Sequence, residues 1–194
     1  MAQARSKSSS AQGFSLIEVV VAMAILTVVS LGVAQLFAAS TRVNLIARGQ
    51  TSTTMLAEQK IEQIRSLTWG FDSSGEGLPV SDTTSNLTIY PTDQTGNGMN
   101  PTPADSLELN TTGCVDFLDA NGAWVGTGGT PPATAMYIRR WSIQPLPTNP
   151  NNTLVIQVLV TPTANEAARQ TTGNPRQRMP GDTLLTTVKT RKSA

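Results

Sequence analysis

The chain has 194 residues, a formal net charge of +1 and 14% charged residues, a size that suits one ordinary domain or one domain with an attached segment. Histidine is absent and Cys114 is the single cysteine. Nucleophile–histidine pairs, the two-histidine zinc-protease motif, mixed Cys/His zinc sites, internal disulfides and a paired-cysteine redox motif are therefore excluded. The near-zero charge also does not suit a general nucleic-acid binder.

Proline divides the chain unevenly. All 12 prolines lie from Pro79 to Pro180, and the first 78 residues have none. Because proline interrupts helices, this pattern predicts a long helix followed by a loop-rich head. Residues 1–13 form a short polar leader made basic by Arg5 and Lys7. Residues 14–39 are apolar with one charge, Glu18, and residues 19–41 give 23 positions without any charge. At about 1.5 Å per helical residue that run crosses a hydrocarbon core of about 30 Å. It exceeds the roughly 7–15-residue apolar region of a secretory signal peptide, so it reads as an anchor. The preceding basic residues predict a cytoplasmic amino end and an exported remainder. A carboxylate in such a segment costs about 2.5–3.5 kcal/mol at the bilayer centre and less near the interface, so Glu18 calls for a partner or a position among the headgroups.

The run Gly13-Phe14-Ser15-Leu16-Ile17-Glu18, after a basic leader and before an apolar stretch, resembles the prepilin motif of type IV pilins and type II secretion pseudopilins. The resemblance implies cleavage by a prepilin peptidase between Gly13 and Phe14 and N-methylation of the new terminus at Phe14. Glu18 then becomes the fifth residue of the mature chain and faces the amino terminus, Phe14, of a neighbouring subunit. Opposite charges in a low dielectric attract strongly, which fits that role. The implied partners are other pilin or pseudopilin subunits, the prepilin peptidase, an inner-membrane assembly platform, and membrane lipid before assembly. Nucleic acid is not expected. No catalytic residue, metal or other cofactor is implied. The expected location is the inner membrane, with a periplasmic head, and afterwards a pilus or periplasmic pseudopilus. Loss of Arg5 and Lys7 with the leader changes the formal charge from +1 to −1.

Beyond a membrane and filament-core segment at 14–41, residues 42–68 should continue the helix as an amphipathic half. Ala57, Ile61, Ile64 and Leu67 recur at spacings of four and three, while Glu58, Gln59, Lys60, Glu62, Gln63 and Arg65 read as a solvated face with a Glu62–Arg65 pair. From residue 14 to 67 such a helix would run about 80 Å. Gly32 and residues 49–54 are its weak points. Many major pilins carry a proline early in the mature helix; its absence here leans toward a minor pilin or pseudopilin.

Residues 69–194 read as the head. Within 70–113, rich in turn formers, the one strand candidate is 87–90. Stronger strand signals are 114–118 and 123–125 around Asp119-Ala120-Asn121-Gly122, then 135–144, 153–161 and 183–190, with a polar loop at 162–182. In 135–144, Tyr137, Arg139, Trp141 and Ile143 share one face and Met136, Ile138, Arg140, Ser142 and Gln144 the other. The expected fold is α+β, a long amino-terminal helix packed on an antiparallel sheet. The Tyr-Arg-Trp strand and the helix at 56–65 resemble minor pilins of the PilV type.

Asp116, Asp119 and Asn121 invite a calcium reading, but the register of the calcium loop starts at Phe117 and no glutamate follows before Glu166, so turn chemistry accounts for them better. A glycosidase pair lacks any supporting motif. Cys114 reads as a buried small apolar residue rather than an interchain link. Three Asn-x-Thr sequons, at Asn86, Asn110 and Asn151, are of chance frequency in so Thr- and Asn-rich a head. Arg176, Arg178, Lys189, Arg191 and Lys192 read as a solvated loop and tail rather than a phosphate-binding patch. The sequence thus points to a non-enzymatic minor pilin, with a minor pseudopilin as the second reading and a single-span exported binding or enzyme domain as the third.

Overall fold

A computed structural model describes residues 13–74 and 76–192. The basic leader residues Arg5 and Lys7 lie outside the described residues. In chain order the elements are α1 (Leu16–Ser66), β1 (Trp69–Phe71), β2 (Pro79–Ser81), β3 (Val115–Leu118), β4 (Trp124–Gly126), β5 (Tyr137–Pro145), β6 (Thr153–Pro162), α2 (Thr163–Thr172) and β7 (Thr183–Thr190). The chain divides into two compact units, residues 1–45 and 46–194.

In the first unit every described residue is exposed, including Phe14, Leu16, Ile25 and Phe37. This part of α1 is long and apolar enough to cross a membrane. Its two threonine hydroxyls bond within the helix: Thr27 Oγ1 donates to Met23 O at 2.8 Å and Thr41 Oγ1 to Phe37 O at 2.9 Å. Internal satisfaction of polar groups is what a lipid environment demands.

The second unit is built on a five-stranded antiparallel sheet of order β4-β3-β5-β6-β7, with β1 and β2 forming a separate hairpin. One sheet face meets the apolar stripe of α1. Ala57, Ile61 and Ile64 share a buried cluster with Trp141, Ile143, Leu154, Ile156, Val158 and Val160. Burial of an isoleucine side chain contributes about 1.5–3 kcal/mol, so Ile61 and Ile64 anchor this half of the helix far more than intrinsic propensity does. The other face carries Val115, Phe117 and Ile138 as a second cluster, with Arg140 and Leu159 also buried on it. The division of β5 into two faces follows the expected alternation, and the pairing Arg139↔Val160, Trp141↔Val158 and Ile143↔Ile156 fixes its register.

The structure departs from the sequence reading in several places. Residues 87–90 form no strand. Asn86 Oδ1 accepts hydrogen bonds from Thr88 N at 3.0 Å and Thr88 Oγ1 at 2.7 Å, bending the chain into a local turn. The 162–182 segment is not all loop, because α2 fills Thr163–Thr172 and ends at Gly173 with φ +67. The β1–β2 hairpin also arises without an alternating apolar pattern. Lys60, placed on the solvated face by its charge, is buried.

Part of the remaining 82–113 connection packs backbone closely on backbone. A Cβ at Gly96 would lie 2.2 Å from Asn86 Cα, so only glycine lets these two segments meet. Between β3 and β4, Asp119 Oδ1 accepts from Asn121 N and Ala123 N, both at 2.8 Å, and Gly122 takes φ +79. The Asn-Gly pair thus does mark a hairpin, closed by an aspartate-centred turn.

Candidate functional site

Gly13, Phe14 and Ser15 lead into α1, and Glu18 sits in its first turn. Ser15 O accepts from Glu18 N at 3.0 Å and Val19 N at 3.3 Å, so the helix is hydrogen-bonded from that residue onward. A carboxylate here interacts favourably with the helix dipole. Phe14 is 83% exposed, and no atom outside its own chain neighbours approaches a Cβ position on Gly13 within 4 Å. The three residues singled out by the sequence therefore lie together, in an accessible stretch at the start of the apolar helix.

A second arrangement, in the head, escapes the sequence reading. Asp116 on β3 pairs with Arg139 on β5, its direct cross-strand neighbour. Arg139 Nε donates to Asp116 Oδ1 and Nη2 to Oδ2, each at 2.8 Å. Lys60 of α1 completes the cluster, with Nζ 2.7 Å from Asp116 Oδ2, and it donates to Leu87 O at 2.6 Å and Gln63 Oε1 at 2.9 Å. Its ammonium also lies 4.2 Å from the Trp141 ring centroid. Burial outweighs the attraction of Asp116 and pushes the Lys60 pKa down to about 8. Two cations face one carboxylate, so the cluster carries an excess positive charge. The available signal was Arg139 in phase with Trp141 and Ile143: a charge on the core face of a strand needs a buried partner. The turn reading holds for Asp119 but not for Asp116, whose carboxylate is part of the ion cluster.

The opposite sheet face has its own ionic joint. Arg140 Nη2 reaches Glu166 Oε1 at 2.9 Å, and Arg169 Nη1 reaches Glu166 Oε2 at 2.8 Å while Nη2 binds Asp182. This network seats α2 on the sheet. Of the carboxyl-terminal cations, Arg176, Arg178 and Lys192 are exposed as a solvated loop and tail would be, whereas Lys189 and Arg191 are engaged, contrary to that reading. Lys189 Nζ donates to Arg65 O at 2.6 Å and to Leu67 O, satisfying carbonyls at the end of α1. Arg191 stacks 3.6 Å from the Trp69 ring centroid and donates to Gly70 O at 3.0 Å. Cys114 is buried in the main cluster, as expected, and burial pushes its thiol up to about 11.

The architecture is that of an α+β protein whose amino-terminal helix begins with an exposed apolar stretch, a combination that fits membrane anchoring. Residues 8–34 match the family model described as the prokaryotic N-terminal methylation motif, so the chain carries the type IV prepilin-like signature. That signature implies processing by a prepilin peptidase and assembly with other pilin subunits, and it belongs to a family of structural subunits. The head lies beyond the match. No curated protein and no solved structure matches this chain.

Proposed function

We propose that the chain is a minor pilin of a type IV pilus, cut between Gly13 and Phe14, methylated at Phe14 and assembled through a Glu18–Phe14 charge pair between subunits. The observation that carries this reading is the prepilin-like signature at 8–34 running directly into an exposed apolar helix with one acidic residue in its first turn. In this reading residues 1–13 are the leader, 14–41 the membrane and filament-core segment, 42–68 the amphipathic half of the helix and 69–194 the displayed head. Before assembly the subunit spans the inner membrane with its head in the periplasm, and the assembly platform extracts it into the filament. Adhesion, motility or DNA uptake are the roles open to such a filament. A minor pseudopilin of type II secretion is the second reading, favoured by the same proline-free helix that distinguishes the chain from many major pilins.

Mass spectrometry of the protein extracted from membranes with an active prepilin peptidase tests the proposal. The expected amino terminus is methylated Phe14. A protein that retains Met1 under those conditions would overturn the pilin and pseudopilin readings together.

A further inference from the structure

Above the Lys60–Asp116–Arg139 cluster the head has a groove of about 680 Å³, walled by Gln59 and Gln63 of α1, residues 89–92, and the β3–β4 turn up to Trp124. That volume falls within the roughly 300–1,000 Å³ range of small-ligand pockets. Its polar groups are arranged with one sense. Gln59 Oε1 accepts from Arg139 Nη1 at 3.1 Å, and Gln63 Oε1 accepts from Lys60 Nζ at 2.9 Å. With their carbonyls turned onto the cations, both glutamines keep their amide NH₂ groups without a partner among the described residues. Arg139 uses four of its five N–H bonds, on Asp116, Leu56 O and Gln59, leaving one Nη2 hydrogen likewise unmatched. The groove is thus rich in donors, and the cluster that forms its floor has one positive charge more than it has negative.

Two aromatic rings border these donors. Tyr90 is 78% exposed, and Trp124 is 38% exposed with its indole N–H fixed on Thr88 O at 2.8 Å. Exposed ring faces of this kind, beside a few oriented polar groups, suit a ligand with a flat C–H surface and hydrogen-bond acceptors.

The geometry points to a binding groove for a carboxylated sugar, whose carboxylate is held by Arg139 and the Gln59 and Gln63 amides while its ring lies against Tyr90 and Trp124. The carboxylate supplies the negative charge that the cluster lacks and the acceptors that its spare donors require. Lys60, still protonated at neutral pH, maintains the charge excess from beneath without needing to touch the ligand. This inference concerns the head alone and stands apart from the filament reading.

Isothermal titration of the full chain in detergent micelles with tetragalacturonate tests it, with the methyl-esterified tetramer and inorganic phosphate as comparison probes. The expected result is saturable binding of the acid, at least about tenfold weaker binding of the ester, and no competition from phosphate at equal concentration. Tyr90→Ala and Gln59→Glu, both at exposed positions, should each weaken binding by at least about tenfold; Tyr90→Ala should leave the thermal midpoint unchanged, and Gln59→Glu, which places a carboxylate beside Arg139, should not lower it. Absence of saturable binding overturns the proposal. So does equal affinity for acid and ester, effective competition by phosphate, or wild-type affinity in both variants.

Discussion

The charge imbalance around Asp116 predicts an ordering of substitutions. Asp116→Asn leaves Lys60 and Arg139 adjacent, buried and without an anion, a change expected to cost about 3–5 kcal/mol. Lys60→Met keeps an aliphatic stem against Trp141 and leaves a balanced Asp116–Arg139 pair. It deprives Leu87 O and Gln63 Oε1 of a donor, so about 1–2 kcal/mol is the expected loss. Urea denaturation of the full chain in micelles should rank the two variants in that order, and equal losses would contradict the imbalance.

Lys60 also gives stability a pH signature, with Asp116 and Arg139 as the charged groups facing it. Its folded pKa of about 8 lies below the ordinary 10.5, so between those values the unfolded chain holds a proton that the folded chain has released. Stability contributed by this residue therefore rises with pH across that window. Cys114 acts oppositely, because its thiol ionises near 9 when unfolded and only near 11 when buried, so stability falls as pH rises above 9. From pH 8 to 9 it is the difference between the wild-type protein and Lys60→Met that isolates Lys60, because the buried Cys114 thiol and the lowered Lys189 ammonium act in both. There the wild-type protein should gain up to about 1 kcal/mol relative to Lys60→Met when urea midpoints of both are compared at the two pH values.

At the scale of elements, what the sequence discloses depends on the kind of force that holds each piece. β6 and β7 lie where the sequence puts them because an apolar run and a terminal Thr-rich strand need only sheet pairing to be ordered. The lower half of α1 is legible through Ala57, Ile61 and Ile64, whose spacing matches the face they bury. α2 was hidden because its anchor is ionic. Arg169 is its one buried residue, so apolar periodicity has nothing to register, although Pro162 before it and Gly173 after it are the boundary residues expected of a helix. Lys60 was misplaced for the converse reason: a charged side chain inside an amphipathic pattern reads as solvated unless its partners, here from β3 and the loop at Leu87, are known. Those contacts span 27 residues or more and leave no local mark. Residues 87–90 failed as a strand because Asn86 captures the Thr88 amide and hydroxyl, a side-chain bond that competes with sheet pairing. The prepilin-like motif, by contrast, is legible in the residue order itself, and residues 8–34 match the methylation-motif model.

For the whole molecule, the decisive question is whether Glu18 serves the anchored subunit or the assembled one. In the isolated chain the carboxylate gains little from its surroundings beyond the helix dipole, worth about 0.3–1 kcal/mol in the first turn. In the membrane it is a liability, which replacement by alanine would remove. On the proposed function, the reason to keep it arises between subunits, where a methylated amino group at Phe14 would supply the opposite charge. Glu18→Ala should accordingly insert in the membrane at least as well as the wild-type chain and be cut after Gly13 at a similar rate, because the scissile bond lies before Phe14. Its incorporation into sheared filaments, measured by immunoblot relative to the membrane pool, should fall by about tenfold, the equivalent of roughly 1.4 kcal/mol of lost pairing. Wild-type incorporation of this variant would remove the charge pair from the assembly mechanism. A block at cleavage would instead assign Glu18 to recognition by the peptidase.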